Sequence, residues 1–136
     1  MEKNHKPDAM ATLKDAGLRP TRQRIALAKL MFGKGRRHIT AEQIHSEALN
    51  EQVRLSLATV YNALNQFTAA GLLRQVIVDP GRTFYCTATH EHHHFFYEKS
   101  GRLEDIPEDS IAVARLPEPP AGTSIARVDV VVRVNG

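Results

Sequence analysis

Four of the seven histidines in this chain fall within five residues, His90-Glu91-His92-His93-His94. Core packing does not call for such a run. Imidazole is the commonest protein ligand for zinc, iron and copper, and it can also serve as an axial ligand to haem. Alternate residues of an extended strand share a face. His92 and His94 can therefore converge on one ion while His93 points away. His90 and Glu91 either join a second site or solvate the mouth of the first. Isolated histidines such as His5 and His45 are expected to do ordinary surface or core duty. A His-x-His-x-His run also fits zinc hydrolases, in which the metal activates water. This chain is short, however, and shows no second ligand loop with a general base. An enzyme is not the expected reading.

The remaining composition bounds the setting. At 136 residues there is room for one moderate core or two small ones, and 42% hydrophobic with 24% charged residues is ordinary for a globular protein. No apolar stretch is long enough to span a membrane, and MEKNHKPDAMATLKDAG lacks the apolar segment of a signal peptide. A single cysteine, Cys86, excludes an intrachain disulfide and suits a reducing cytoplasm. Residues 1–80 carry 12 Lys/Arg against 7 Asp/Glu, whereas residues 81–136 carry 6 against 8. A basic front half suits a polyanion partner, and the acidic back half does not.

Helical signals fill that front half. Asp8 to Ala16 reads as a short helix ended by Gly17, and Thr21 caps a second helix that ends near Gly33. Thr40-Ala41-Glu42-Gln43 is a capping box opening a third helix, which runs to about Leu49. Ser56 caps a fourth helix, Leu57 to Ala70, with Val60, Leu64 and Phe67 facing a core. Thr59, Asn62 and Gln66 lie on another face. Two β-rich runs, Leu72–Val78 and Arg82–Thr87, flank the turn Asp79-Pro80-Gly81. Helices followed by a hairpin form a winged helix-turn-helix pattern, expected over residues 1–88.

Residues 89–136 change texture. Strands are expected at His93–Glu98 and Arg102–Ile106, a short helix from Pro107 to Leu116, and a final strand whose Ala126, Val128, Val130, Val132 and Val134 share one face. A one-sided strand in a domain of about fifty residues needs partner surface, which favours a homodimer. The fold class is therefore α+β: an N-terminal winged helix-turn-helix followed by a small α/β dimerisation domain.

Leu57-Ala58-Thr59-Val60-Tyr61-Asn62-Ala63-Leu64, ending at Ala70-Gly71-Leu72, resembles the recognition helix of the ferric uptake regulator family. Thr21-Arg22-Gln23-Arg24 and His38-Ile39-Thr40-Ala41-Glu42 resemble that family too, and the likeness covers nearly the whole chain. It implies a dimeric, metal-dependent transcription factor that binds operator DNA. Within the family, His92-His93-His94-Phe95-Phe96, Leu103-Glu104-Asp105-Ile106-Pro107 and the segment 125–133 are similar to the iron response regulators of alphaproteobacteria. Those respond to haem and release DNA when it accumulates. The alternative is a sensor of free Fe, Mn or Zn, or of peroxide. The resemblance implies that His38 and Asp105 join His92 and His94 as ligands, with His93 and Cys86 as weaker candidates. It also implies that Arg19, Arg22, Arg24, Ser56, Thr59, Tyr61 and Asn62 meet DNA. Three departures stand out. Tyr97 and Ser100 occupy the positions of the family's Cys-x-x-Cys pair, so no structural zinc held by four cysteines is expected. Some iron response regulators carry an N-terminal Cys-Pro haem motif, and none occurs here. Asn62 stands where Arg is frequent.

Overall fold

A computed structural model describes residues 8–90, 92–107 and 109–136. The chain divides between Thr89 and His90 into two compact units. His5 and Glu91 lie outside the described residues. Among those described, no helix is long and apolar enough to cross a membrane.

The first unit opens with α1 (Ala9–Asp15), α2 (Arg22–Phe32), β1 (His38–Ile39), α3 (Ala41–Asn50) and α4 (Leu57–Ala69). It closes with a hairpin of β2 (Arg74–Asp79) and β3 (Arg82–Cys86). Each helix starts on a side chain that satisfies an otherwise orphaned amide. Met10 N donates to Asp8 Oδ1 at 3.0 Å, Arg24 N to Thr21 Oγ1 at 3.1 Å, and Thr59 N to Ser56 Oγ at 3.0 Å. The capping box before α3 is complete, since Gln43 N donates to Thr40 Oγ1 and Thr40 N to Gln43 Oε1. Gly71, at φ 84°, adopts the left-handed conformation that lets Leu72 N close α4 onto Phe67 O at 2.9 Å. This closure takes Leu72 out of the expected strand, and β2 begins instead at Arg74.

Leu13, Leu27, Met31, Ile44, Val60, Leu64 and Phe67 are all fully buried in one cluster, with Tyr85 from the wing against it. Three helices thereby hold α4 by one face only. β1 falls where the sequence signals suggest a loop. It pairs with β3, setting His38 opposite Cys86, in a sheet of order β1-β3-β2. Arg37, just before β1, donates to Leu30 O at 2.9 Å and grips the Glu47 carboxylate of α3 with both terminal nitrogens. The guanidinium hydrogen bond holds the Glu47 carboxyl below its ordinary range. His45 does the structural work expected of it, donating Nε2 to Leu55 O at 2.8 Å.

The second unit is a sheet of order β5-β4-β6, formed by β4 (His94–Tyr97), β5 (Leu103–Asp105) and β6 (Val131–Val134). β4 pairs antiparallel with β5 and parallel with β6. Two expectations are corrected here. The described residues of 107–116 form a turn and irregular chain, not a helix. Val113 and Leu116 are exposed, and Asp109 sits at φ 73°. A helix there would have no buried face to stabilise it, and Asp109 interrupts its backbone. The last strand is four residues, not nine, because β4 offers only His94–Tyr97 for pairing. Val128, Val130, Val132 and Val134 are nonetheless half-buried, while Arg127, Asp129 and Arg133 are exposed.

Candidate metal centre and nucleic-acid interface

Cross-strand register builds the metal centre. His94 stands directly opposite Asp105 in the antiparallel pair, and His92 precedes it by two residues. His92 Nε2 lies 2.9 Å, and His94 Nε2 3.4 Å, from the same oxygen, Asp105 Oδ1. All three donor atoms fall within 4.8 Å of one another, and both imidazoles are buried. His92 Nδ1 is 2.8 Å from the His90 carbonyl oxygen. A carbonyl can only accept, so Nδ1 is a protonated nitrogen and Nε2 is the one turned towards the carboxylate. A nitrogen and a carboxylate oxygen that close share a positive charge, supplied by a proton or by a bound cation. Donors about 2.0–2.2 Å from one ion would lie roughly 3–3.5 Å from each other. The spacing fits. Two imidazoles and a carboxylate form a ligand set suited to zinc, iron or manganese.

Other sequence candidates fall elsewhere. His93 points to the opposite side, where Val130 N donates to its Nδ1 at 3.1 Å. The His90 ring rests 4.9 Å from that of His92, at the edge of a cavity of about 430 Å³ that also meets Ile106, Pro107 and Ile111. Within the first unit, His38 Nδ1 is 3.0 Å from Cys86 Sγ across the β1–β3 pair. The buried thiol is thus engaged by an imidazole.

Several of the residues expected to meet DNA gather around a polar notch of about 440 Å³ between the start of α2 and α4. Arg19, Arg24, Thr59 and Asn62 meet there, joined by Thr21 and Gln66. Gln66 was legible only as a member of the outward face. Arg24 spans the notch, donating Nη1 to Arg19 O at 3.0 Å and Nη2 to Gln66 Oε1 at 2.7 Å. Three other DNA candidates are placed differently. Arg22 lines a separate groove with Ile25 and Lys29. Ser56 caps α4, its Oγ 2.8 Å from Thr59 Oγ1. Tyr61 donates its hydroxyl to Glu42 Oε2 at 2.7 Å. Glu42 carried no functional signal in the sequence, because its partner lies in a different helix.

Arg24→Ala should weaken binding to every DNA sequence and lower the salt dependence of log K by about one unit, as loss of one phosphate contact requires. Filter binding across a salt series would measure both. An unchanged slope with unchanged affinity would remove Arg24 from the interface.

A winged helix-turn-helix and, in the same chain, a candidate ligand set of two buried histidines and a half-buried aspartate are the parts expected of a metal-responsive transcription regulator. Comparison with known proteins makes the class specific. The profile of the Ferric uptake regulator family matches residues 15–130, and the chain belongs to that family. The ferric uptake regulation protein of Legionella pneumophila is 35% identical over 100 residues, covering 73% of this chain and 74% of its own. The ferric uptake regulator of Vibrio cholerae superposes with a TM-score of 0.73 at 23% identity, over 95% of this chain and 100% of its own. That of Pseudomonas aeruginosa, solved with manganese, superposes at 0.69 with 22% identity, over 94% and 97%. These two likenesses establish the fold. A family of transcription regulators is not a family of enzymes, and the expectation of a non-enzymatic role holds.

Proposed function

We propose that this protein binds operator DNA as a homodimer through α4, and that a divalent cation held by His92, His94 and Asp105 sets its DNA affinity. The convergence of three donor atoms, from His94 on β4, Asp105 on β5 and His92 two residues before β4, carries this reading. When bound, the ion supplies Lewis-acid cross-linking of its ligands. Asp105 supplies the neutralising charge, and the His90 carbonyl fixes which nitrogen His92 offers. On α4, Asn62 is suited to bidentate pairing with adenine, which favours A/T-rich operators. The protein's proposed place of work, at operator DNA, is the cytoplasm.

Haem is the second effector proposed, from the likeness to iron response regulators. The cavity beside His90 and His92, with Ile106, Pro107 and Ile111 in its wall, is the observation that favours it. The tight donor cluster favours a single ion. The deciding experiment takes DNA duplexes that the protein selects from a random pool. Affinity is then measured with chelator, with Fe2+, Mn2+ or Zn2+, and with haem. A change of about tenfold or more with a metal ion supports the cation reading. A change with haem alone transfers the site to haem, and no change with any of them sinks both.

Val130→Asp should yield monomers or insoluble protein, because it places a charge on the apolar face of the last strand. Sedimentation showing a soluble, intact dimer would exclude that face as the interface.

A further inference from the structure

We infer that Glu42 is a positioning residue for DNA recognition: its carboxylate, at the start of α3, fixes the orientation of Tyr61 on α4. The inference rests on the reading of α4 as the recognition helix. Among the described residues, three side chains of α4 hydrogen-bond to neighbouring elements. Gln66 accepts from Arg24, Asn65 accepts from the buried Tyr85 hydroxyl at 2.8 Å, and Tyr61 donates to Glu42 at 2.7 Å. The first two link neutral acceptors on α4 to α2 and to the wing. Of these three, the third alone ends on an anion, and it engages Tyr61, a residue of α4 expected to meet DNA.

The Tyr61 ring packs against the first unit's core, so its ring plane and its hydroxyl are held from two sides. Glu42 lies in the first turn of α3, where a carboxylate is also favoured by the helix amides. The phenol's affinity for its proton reflects the contact, being pushed up to about 12 chiefly by the Glu42 hydrogen bond. Tyr61 is therefore a neutral donor whose hydrogen is committed to Glu42, with its ring held against the core. A carboxylate near DNA has an opposing effect, since it repels phosphates. For an exposed, screened charge that repulsion amounts to only a few-fold in affinity. A hydrogen bond to a charged group is worth roughly tenfold or more, so orientation outweighs repulsion.

The test compares full-length wild type, Glu42→Ala, Glu42→Gln, Tyr61→Phe and the Glu42→Ala/Tyr61→Phe double variant. Each is measured against a selected duplex and a random-sequence duplex. Glu42→Ala should lose about tenfold in preference for the selected duplex, and Glu42→Gln, which retains an acceptor, should restore it to within about twofold. In the Tyr61→Phe background, Glu42→Ala should leave the preference for the selected duplex unchanged. At neutral pH the Tyr61 ring carbon bearing oxygen should shift its NMR resonance in Glu42→Ala and return towards wild type in Glu42→Gln. Equal changes on both duplexes, additivity with Tyr61→Phe, or an unmoved resonance would overturn the inference. If Tyr61→Ala and Asn62→Ala also leave the selected duplex bound as tightly as wild type, α4 is not the recognition helix, and the parent reading falls with it.

Discussion

A His92→Ala/His94→Ala variant should lose at least about 100-fold in metal affinity and show the same DNA affinity with metal as with chelator. Removing two imidazoles from a three-donor cluster leaves Asp105 alone, and a single carboxylate does not hold a transition metal against water. Changing even a supporting hydrogen-bond partner of a metal ligand typically costs about 10–100-fold, so the loss of two ligands sets a floor at the upper end. The first unit should remain folded in the variant, because His92 and His94 belong to the second unit and the core of the first does not include them. Metal competition against a chromophoric chelator reads the affinity, and a gel shift reads the response. A variant that still responds to metal at wild-type concentrations would move the regulatory site away from β4.

Phe67→Ala should destabilise the first unit by about 3–5 kcal/mol. Phe67 is fully buried at the centre of the cluster on α4, with the Phe32 ring 6.2 Å away between centroids. Truncation loses the transfer energy of the ring and leaves a cavity between α2 and α4 that close packing cannot fill without strain. Domains of this size are stable by only about 5–15 kcal/mol in total, so the variant should be partly unfolded at 37 °C. Phe67→Leu, which conserves much of the volume, should cost under about 1.5 kcal/mol. Urea denaturation monitored by circular dichroism distinguishes the two. A loss below about 1 kcal/mol for Phe67→Ala would contradict the packing described.

The helical unit was largely legible because its signals are local. Asp8, Thr21, Thr40 and Ser56 each cap the helix that follows, and Gly71 ends the last. Val60, Leu64 and Phe67 declare their face by spacing alone. The second unit was less legible because its strands depend on partners. β6 is as short as β4 permits, and the expected helix at Pro107–Leu116 failed for want of anything to pack against. The candidate metal site divides along the same line. His92 and His94 were visible from their own period of two. Asp105 came only through family likeness, since strand register, not sequence spacing, brings it opposite His94. Contacts between distant helices, such as Tyr61 with Glu42, left no mark in the sequence at all.

The register of β4 with β5 has a further consequence. The second unit buries little: of its described residues only Phe96, Leu103, Ile106 and the two ligand histidines are buried. So small a hydrophobic centre holds a three-residue strand weakly, and domains below about 60 residues commonly depend on a metal or a partner for stability. Slipping β5 by one residue would turn Asp105 to the other face and set Glu104 or Ile106 opposite His94. An ion shared by His92, His94 and Asp105 would therefore act as a rivet that admits a single alignment of the strands. The cation that reports metal status would also complete the folding of the sheet that reads it, and amide exchange along β4 and β5 should slow as the ion binds.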